Sequence, residues 1–285
     1  MKVFQIFILL FILTEPSLAQ EKIGKLFEAA EKSIKVENLD SALFYYEFIT
    51  ENFKDNQSYS RALFNKAYVL RMLGENEKSK DLFKQILKSK FNDNEKGPGS
   101  GIVSEPYAIY KHRAARNLAE LHLEESSYKI ALKYTKMADK KYQYEHFCGN
   151  EFAANDIIFA VLYSRCYNGI GDNNKAINLL WDYIFNYGLA NNQIAIEQMA
   201  LLLKEVYSES EIKKELKNAV STINIESKFN ETKATIEIFN QKIILPNDIT
   251  LWIHKYEKFL ELEYRSLEYY KEIYIGSLFY TTLMN

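Results

Sequence analysis

Apolar residues along most of this chain recur every three or four positions. Leu63, Ala67, Leu70 and Leu73 mark one helix face, and Leu82, Phe83, Ile86 and Leu87 mark another shortly after. Gly74-Glu75-Asn76 separates the two, and Gly171-Asp172-Asn173 makes a similar break later, because glycine accepts the left-handed backbone that ends a helix. One helix pair cannot bury both apolar faces alone; three or more stacked pairs form a continuous core. Beyond Gly188 the pattern changes. Ile194–Tyr207 and Ser210–Val220 read as a fifth helix pair. Thr235-Ile236-Glu237-Ile238-Phe239 alternates at period two, so a small β insert is expected near 222–245. Asn240-Gln241 would turn it into Lys242–Leu245, Pro246 would stop it, and Thr222–Phe229 is the candidate third strand. A last helix is expected from Ile249 to about Leu278, carrying Trp252, Tyr256, Phe259, Tyr264, Tyr269, Tyr270 and Tyr274. This helix either caps the open end of the stack or offers an aromatic surface. Capping is preferred, because an exposed stripe this apolar invites aggregation.

The helix pairs align as four copies of one pattern. Ala30 and Ala42 take the two small positions of the first, around a Glu37-Asn38 turn, with Tyr46 and Ile49 following. The second has Ala67, Gly74-Glu75, Ser79, Phe83 and Ile86; the third has Ala119, Ser126-Ser127, Ala131, Thr135 and Ala138. In the fourth, Ser164 replaces the first small residue and is followed by Tyr167, Gly171-Asp172, Ala176, Leu180 and Tyr183. This pattern resembles the tetratricopeptide repeat over about Ile23–Tyr187. The second small positions stand 37, 52 and 45 residues apart. The family's period is about 34, so loops or longer helices are inserted. Residues 91–106 are one such insertion, exposed and irregular around Gly97-Pro98-Gly99-Ser100-Gly101, which lacks the Lys-Ser/Thr ending of a phosphate loop.

Upstream of the repeats, Met1-Lys2, an apolar run from Val3 to Leu13 and Ser17-Leu18-Ala19 read as a secretory signal cut after residue 19. The run is shorter than the roughly 20 residues that span a bilayer. The expectation is an exported protein, periplasmic or secreted, with repeats over 20–190 and a helical extension with its β hairpin over 191–285. Asn56-Gln57-Ser58 and Asn230-Glu231-Thr232 would be glycosylation acceptors in a eukaryotic source. The 36 basic and 38 acidic side chains nearly cancel, which argues against a nucleic-acid partner. Only 10 of 285 residues are Gly and 4 are Pro, as suits a helical chain.

Few residues suggest chemistry. The four histidines, His112, His122, His146 and His254, show no metal spacing. Cys148 and Cys166 would stand about 25 Å apart along one helix, beyond disulfide reach. Cys148 lies near a helix start expected at Asn150-Glu151, where the dipole favours thiolate, and His146 is two residues away; this is a candidate reactive thiol. The resemblance to tetratricopeptide proteins implies a scaffold without catalysis or cofactor, holding an unidentified protein or peptide against its first helices. Those helices offer Asn65, Lys66, Tyr68, Arg71, Arg116, His122, Tyr163 and Arg165. The runner-up is a glycan binder on the same framework, with Trp181 or Trp252 as reporters, and the third reading is a hydrolase using Cys148.

Overall fold

The computed structural model describes residues 20–56, 58–92, 94, 106–185, 190–228, 231–247 and 263–285. The segments expected to be a secretory signal (residues 1–19) and an irregular loop (Gly97–Gly101), and Trp252, Tyr256 and Phe259 of the expected last helix, lie outside them. Four helix hairpins stack in chain order: α1 (residues 20–35) with α2 (Leu39–Asn52), α3 (Tyr59–Met72) with α4 (Asn76–Lys88), α5 (Tyr110–Glu124) with α6 (Tyr128–Lys136), and α7 (Gly149–Ile170) with α8 (Asn173–Asn178). Each helix from α2 to α7 packs on the next. A fifth pair, α9 (Gln193–Val206) and α10 (Glu209–Ala219), leads into β1 (Asn224–Lys228), β2 (Glu231–Ile238) and β3 (Gln241–Ile244). Two short helices, α11 (Leu267–Ile275) and α12 (Leu278–Met284), close the chain. The fold is an all-α solenoid of stacked hairpins carrying one three-stranded antiparallel sheet.

The repeat is written in the turns. At each of the four hairpins a backbone N–H reaches back five residues: Asn38 to Ser33 O, Glu75 to Leu70 O, Ser127 to His122 O and Asp172 to Tyr167 O, at 2.9, 2.9, 2.8 and 2.9 Å. This is the Schellman closure of a helix. Glycine supplies its left-handed residue at Gly74 (φ 78°) and Gly171 (φ 91°); Glu37 (φ 58°) and Ser126 (φ 56°) adopt the same conformation in the other two. Nine residues after each carbonyl comes the small residue at the helix crossing: Ala42, Ser79, Ala131 and Ala176, all fully buried. Ala30, Ala67, Ala119 and Ser164 meet them from the first helices, also fully buried. Ser79 shows why small size is needed there: its hydroxyl lies 2.7 Å from the carbonyl of Ala67 on the facing helix and donates to it.

Three details depart from expectation. The hairpin between β2 and β3 turns at Phe239-Asn240, one residue earlier, because both residues take left-handed φ (49° and 61°), as a two-residue type I′ turn requires. Phe239 is fixed there by its N–H, which donates to Glu215 at 2.9 Å, and by its ring, 4.6 Å from that of Tyr207. The C-terminal aromatic helix is interrupted within its described part: Ser266 and Ser277 each cap a new helix by accepting the N–H three residues on. Finally α7 starts at Gly149 with Cys148 as N-cap, so Asn150 lies inside the helix.

The core runs without a break from α7 and α8 into the C-terminal elements. Ile157, Leu180 and Trp181 share a buried cluster with Met199, Leu216, Ile236, Tyr270 and Tyr274. Tyr270 and Tyr274 are fully buried, and the Tyr274 hydroxyl donates to Leu216 O at 3.1 Å. These tyrosines therefore cover the end of the solenoid instead of facing solvent.

Gly169 makes one packing requirement testable. A Cβ there would overlap the Tyr128 ring, which lies across the end of α7. Alanine normally gains about 1 kcal/mol over glycine inside a helix, but overpacking costs roughly 1–3 kcal/mol. Gly169→Ala is expected to lose up to about 2 kcal/mol in urea denaturation. A stability gain would mean that the ring moves aside freely.

Candidate functional site

α3 and α5, the first helices of the second and third hairpins, face each other across a groove of about 730 Å³. Helical periodicity turns Asn65, Tyr68 and Met72 into it from α3, and Arg113, Arg116, Asn117, Glu120 and Glu124 from α5. Arg71 spans the two. One of its terminal nitrogens donates to Asn117 Oδ1 at 2.7 Å and Glu120 Oε2 at 2.6 Å, and the other to Glu124 Oε1 at 2.7 Å. The planar guanidinium spreads its donors over two terminal nitrogens, which lets one side chain reach acceptors along two turns of α5. Arg116 completes the array through Nε, 3.0 Å from Glu120 Oε1.

Burial favours the neutral form of Glu120, but the Arg116 and Arg71 charges outweigh it and hold the carboxyl below its ordinary range. Burial opposes the Arg71 charge too, yet Glu120 and Glu124 more than compensate and raise its pKa. The groove therefore has a fixed ionic floor. Above it stand the half-exposed Tyr68 and Met72, both 46% exposed, a polarizable apolar pair beside charged groups.

Of the eight residues expected to bind, Asn65, Tyr68, Arg71 and Arg116 come together here. Lys66, one residue past Asn65, is turned to α2 and pairs with Glu47 at 3.3 Å. His122 stands two residues past Glu120, roughly 200° around the helix, so it leaves the groove. It is buried and stacks on Tyr134 with ring centroids 5.6 Å apart and planes 2° apart. Tyr163 donates to Asp139 at 2.8 Å, and Arg165 is exposed on α7; neither lines this groove. Arg113, Asn117, Glu120 and Glu124 were not expected. Counting in threes and fours from Arg116 would have reached Arg113, Glu120 and Glu124.

Behind the groove, Lys80 is buried on α4, held by both carboxylate oxygens of Glu125 (2.7 and 2.8 Å) and by Glu77 at 2.6 Å. Burial and the Lys80 charge lower the His122 pKa. His112 is also lowered, mainly by burial; its Nδ1–H donates to Tyr142 O (2.9 Å) and Ala138 O (3.1 Å) at the π-helical turn Met137–Lys141. Both histidines are neutral in the fold and charge more readily when unfolded. Their stabilisation is complete above the unfolded pKa of about 6.5 and is lost as pH falls from there toward the lower folded values. The urea midpoint is expected to fall between pH 7.5 and 5.5, with a shallower slope in His122→Gln. A midpoint flat over that range would contradict both assignments.

Cys148 and Cys166 are both free. Cys166 is buried, which raises its thiol pKa, beside the Thr135 hydroxyl at 3.8 Å. Cys148 caps α7, but His146 Nδ1 accepts the backbone N–H of Cys148 at 3.0 Å, so that nitrogen is not directed at the thiol. Trp181 is covered by Phe239 and Phe279 and offers no open face for a sugar ring. Among the described residues no group of three His, Cys, Asp or Glu could hold a metal ion, and no helix is long and apolar enough to cross a membrane.

No protein-family model matches the chain, and no curated protein does. Two solved structures that resemble it are "MamA 41-end from Desulfovibrio magneticus RS-1" and a "MamA RS-1 ArsTM double mutant". Each is 14% identical to this chain. The first covers 65% of this chain and 85% of its own, with a TM-score of 0.43; the second covers 67% and 88%, with a TM-score of 0.45. The hairpin repeat accordingly rests on this chain's own turns and helix crossings.

Proposed function

We propose that this protein is an interaction scaffold of tetratricopeptide type that holds a partner protein or peptide in the α3–α5 groove. The observation that carries the reading is the Arg71 bracket. Three acceptors on α5 are locked to one guanidinium on α3, which keeps a concave surface open and rigid under the half-exposed Tyr68 and Met72. Pre-ordered side chains lose little entropy on binding, and exposed aromatics and arginines are the usual anchors of interfaces. The apolar leader at residues 3–13 supports export, so the partner belongs among envelope or secreted proteins.

The test is a crosslinking pull-down with residues 20–285 from envelope and secreted fractions. Arg71 is unsuitable for charge reversal, because a carboxylate there would join Glu120 and Glu124 and disturb the fold. Tyr68→Ala and Arg116→Ala change the groove while leaving the Arg71 contacts in place. A partner captured by the native protein and lost by both variants establishes the groove. Equal capture by native and variant proteins would place binding elsewhere.

A further inference from the structure

Among the described residues the sheet has a free edge, and it borders a second cavity far along the chain from the α3–α5 groove. Strand order is β1-β2-β3, so among the described residues β3 pairs on one side. Its register, Ile238↔Gln241 and Ile236↔Ile243, with the Leu245 N–H donating to Ala234 O at 3.0 Å, turns the backbone groups of Gln241, Ile243 and Leu245 toward β2. By antiparallel alternation the N–H and C=O groups of Lys242 and Ile244 point outward. They border a cavity of about 430 Å³. Its opposite wall is the end of α8 and the 3₁₀ turn Trp181–Tyr183, presenting Asn178, Trp181, Asp182 and Phe185.

Two polar groups of that wall have no partner among the described residues. Trp181 is 6% exposed, and its buried indole N–H has no hydrogen-bond partner among the described residues. Asp182 is exposed and has no cationic partner among the described residues. The cavity's one lysine, Lys242, stands directly across the ladder from Glu237. Asp182 thus faces a strand edge that is unpaired among the described residues.

We infer that the edge of β3 docks an extended peptide by strand addition, with a basic side chain of that peptide meeting Asp182. Outward donors and acceptors repeated every second residue, about 6.8 Å apart, match the backbone of another strand. Edge strands are often blunted by being short or ended by proline, and β3 has both features. Here they limit the site to the outward groups of two residues, so a five-residue peptide fills it. Ile244, 58% exposed on the outer face, gives the added strand an apolar neighbour.

The experiment uses the full chain and acetylated, amidated five-residue peptides. They carry Val or Thr at alternate positions and Lys, Arg, Gln or Glu at the centre, and binding is read by fluorescence anisotropy. Lys and Arg peptides should bind at least tenfold more tightly than the Glu peptide, and Asp182→Asn should erase that preference. N-methylating the peptide backbone should abolish binding. Ile244→Pro should do the same without unfolding the sheet, because it removes an outward N–H and no ladder bond. Circular dichroism of that variant checks the fold. Three results would overturn the proposal: no peptide binding below millimolar concentration, binding unchanged in Ile244→Pro, or a dimer of the native chain that Ile244→Pro makes monomeric.

Discussion

Phe83→Ala should lower stability by about 3–5 kcal/mol, the usual range for emptying a fully buried aromatic position. Phe83 is fully buried where three helices meet, in a cluster with Leu63 and Ala67 of α3, Ile86 of α4 and Leu118 and Leu121 of α5. Its ring centroid lies 5.8 Å from that of Phe64, which borders the groove. The cavity would open directly behind that wall, so partner binding should weaken as well. Phe83→Leu keeps most of the volume and should cost about 1 kcal/mol. Guanidinium denaturation of the two variants decides the matter: equal losses would mean that the site collapses and that packing volume is not limiting.

Arg71→Ala should cost about 2–3 kcal/mol, below the 3–5 typical of fully buried pairs because this one is only partly shielded. The Arg71 side chain is 19% exposed and that of Glu120 is 24% exposed, so most of the loss lies between them. Glu124, at 49%, contributes little, as exposed partners do. Arg71→Lys should recover only part, since one ammonium cannot reach Asn117, Glu120 and Glu124 together. The pH dependence has a definite sign. Glu120 is held below its ordinary pKa, so its contribution is present above the unfolded value near 4.5 and is lost as pH falls through the folded value. The gap in thermal midpoint between native protein and Arg71→Ala should therefore narrow in acid. A gap independent of pH would assign the loss to the buried stem of Arg71 instead of its charge.

The repeat was legible because its signals are local. A left-handed residue, a Schellman closure and a small residue nine positions on lie within one stretch of chain, so Gly74 and Ala67 could be read directly. Glu37 and Ser126, which take the same conformation without glycine, were legible only through alignment with the other copies. The groove was half legible. The structure brings Asn65, Tyr68, Arg71 and Arg116 onto one surface, while Lys66 and His122 lie elsewhere because one or two residues of helix turn a side chain to another face.

The sequence by itself determined the helices, the hairpin turns, the small residues at the crossings and the presence of a β insert, since propensity, periodicity and turn chemistry act over a few residues. Tertiary structure alone decided that Arg71 would be a bracket across 46 to 53 residues of chain and that Lys80 would be buried against Glu125. It also decided that the edge of β3 would face Asp182. Those outcomes depend on which distant faces meet, and that is fixed by burying the largest apolar area at once, a quantity no short window of sequence contains.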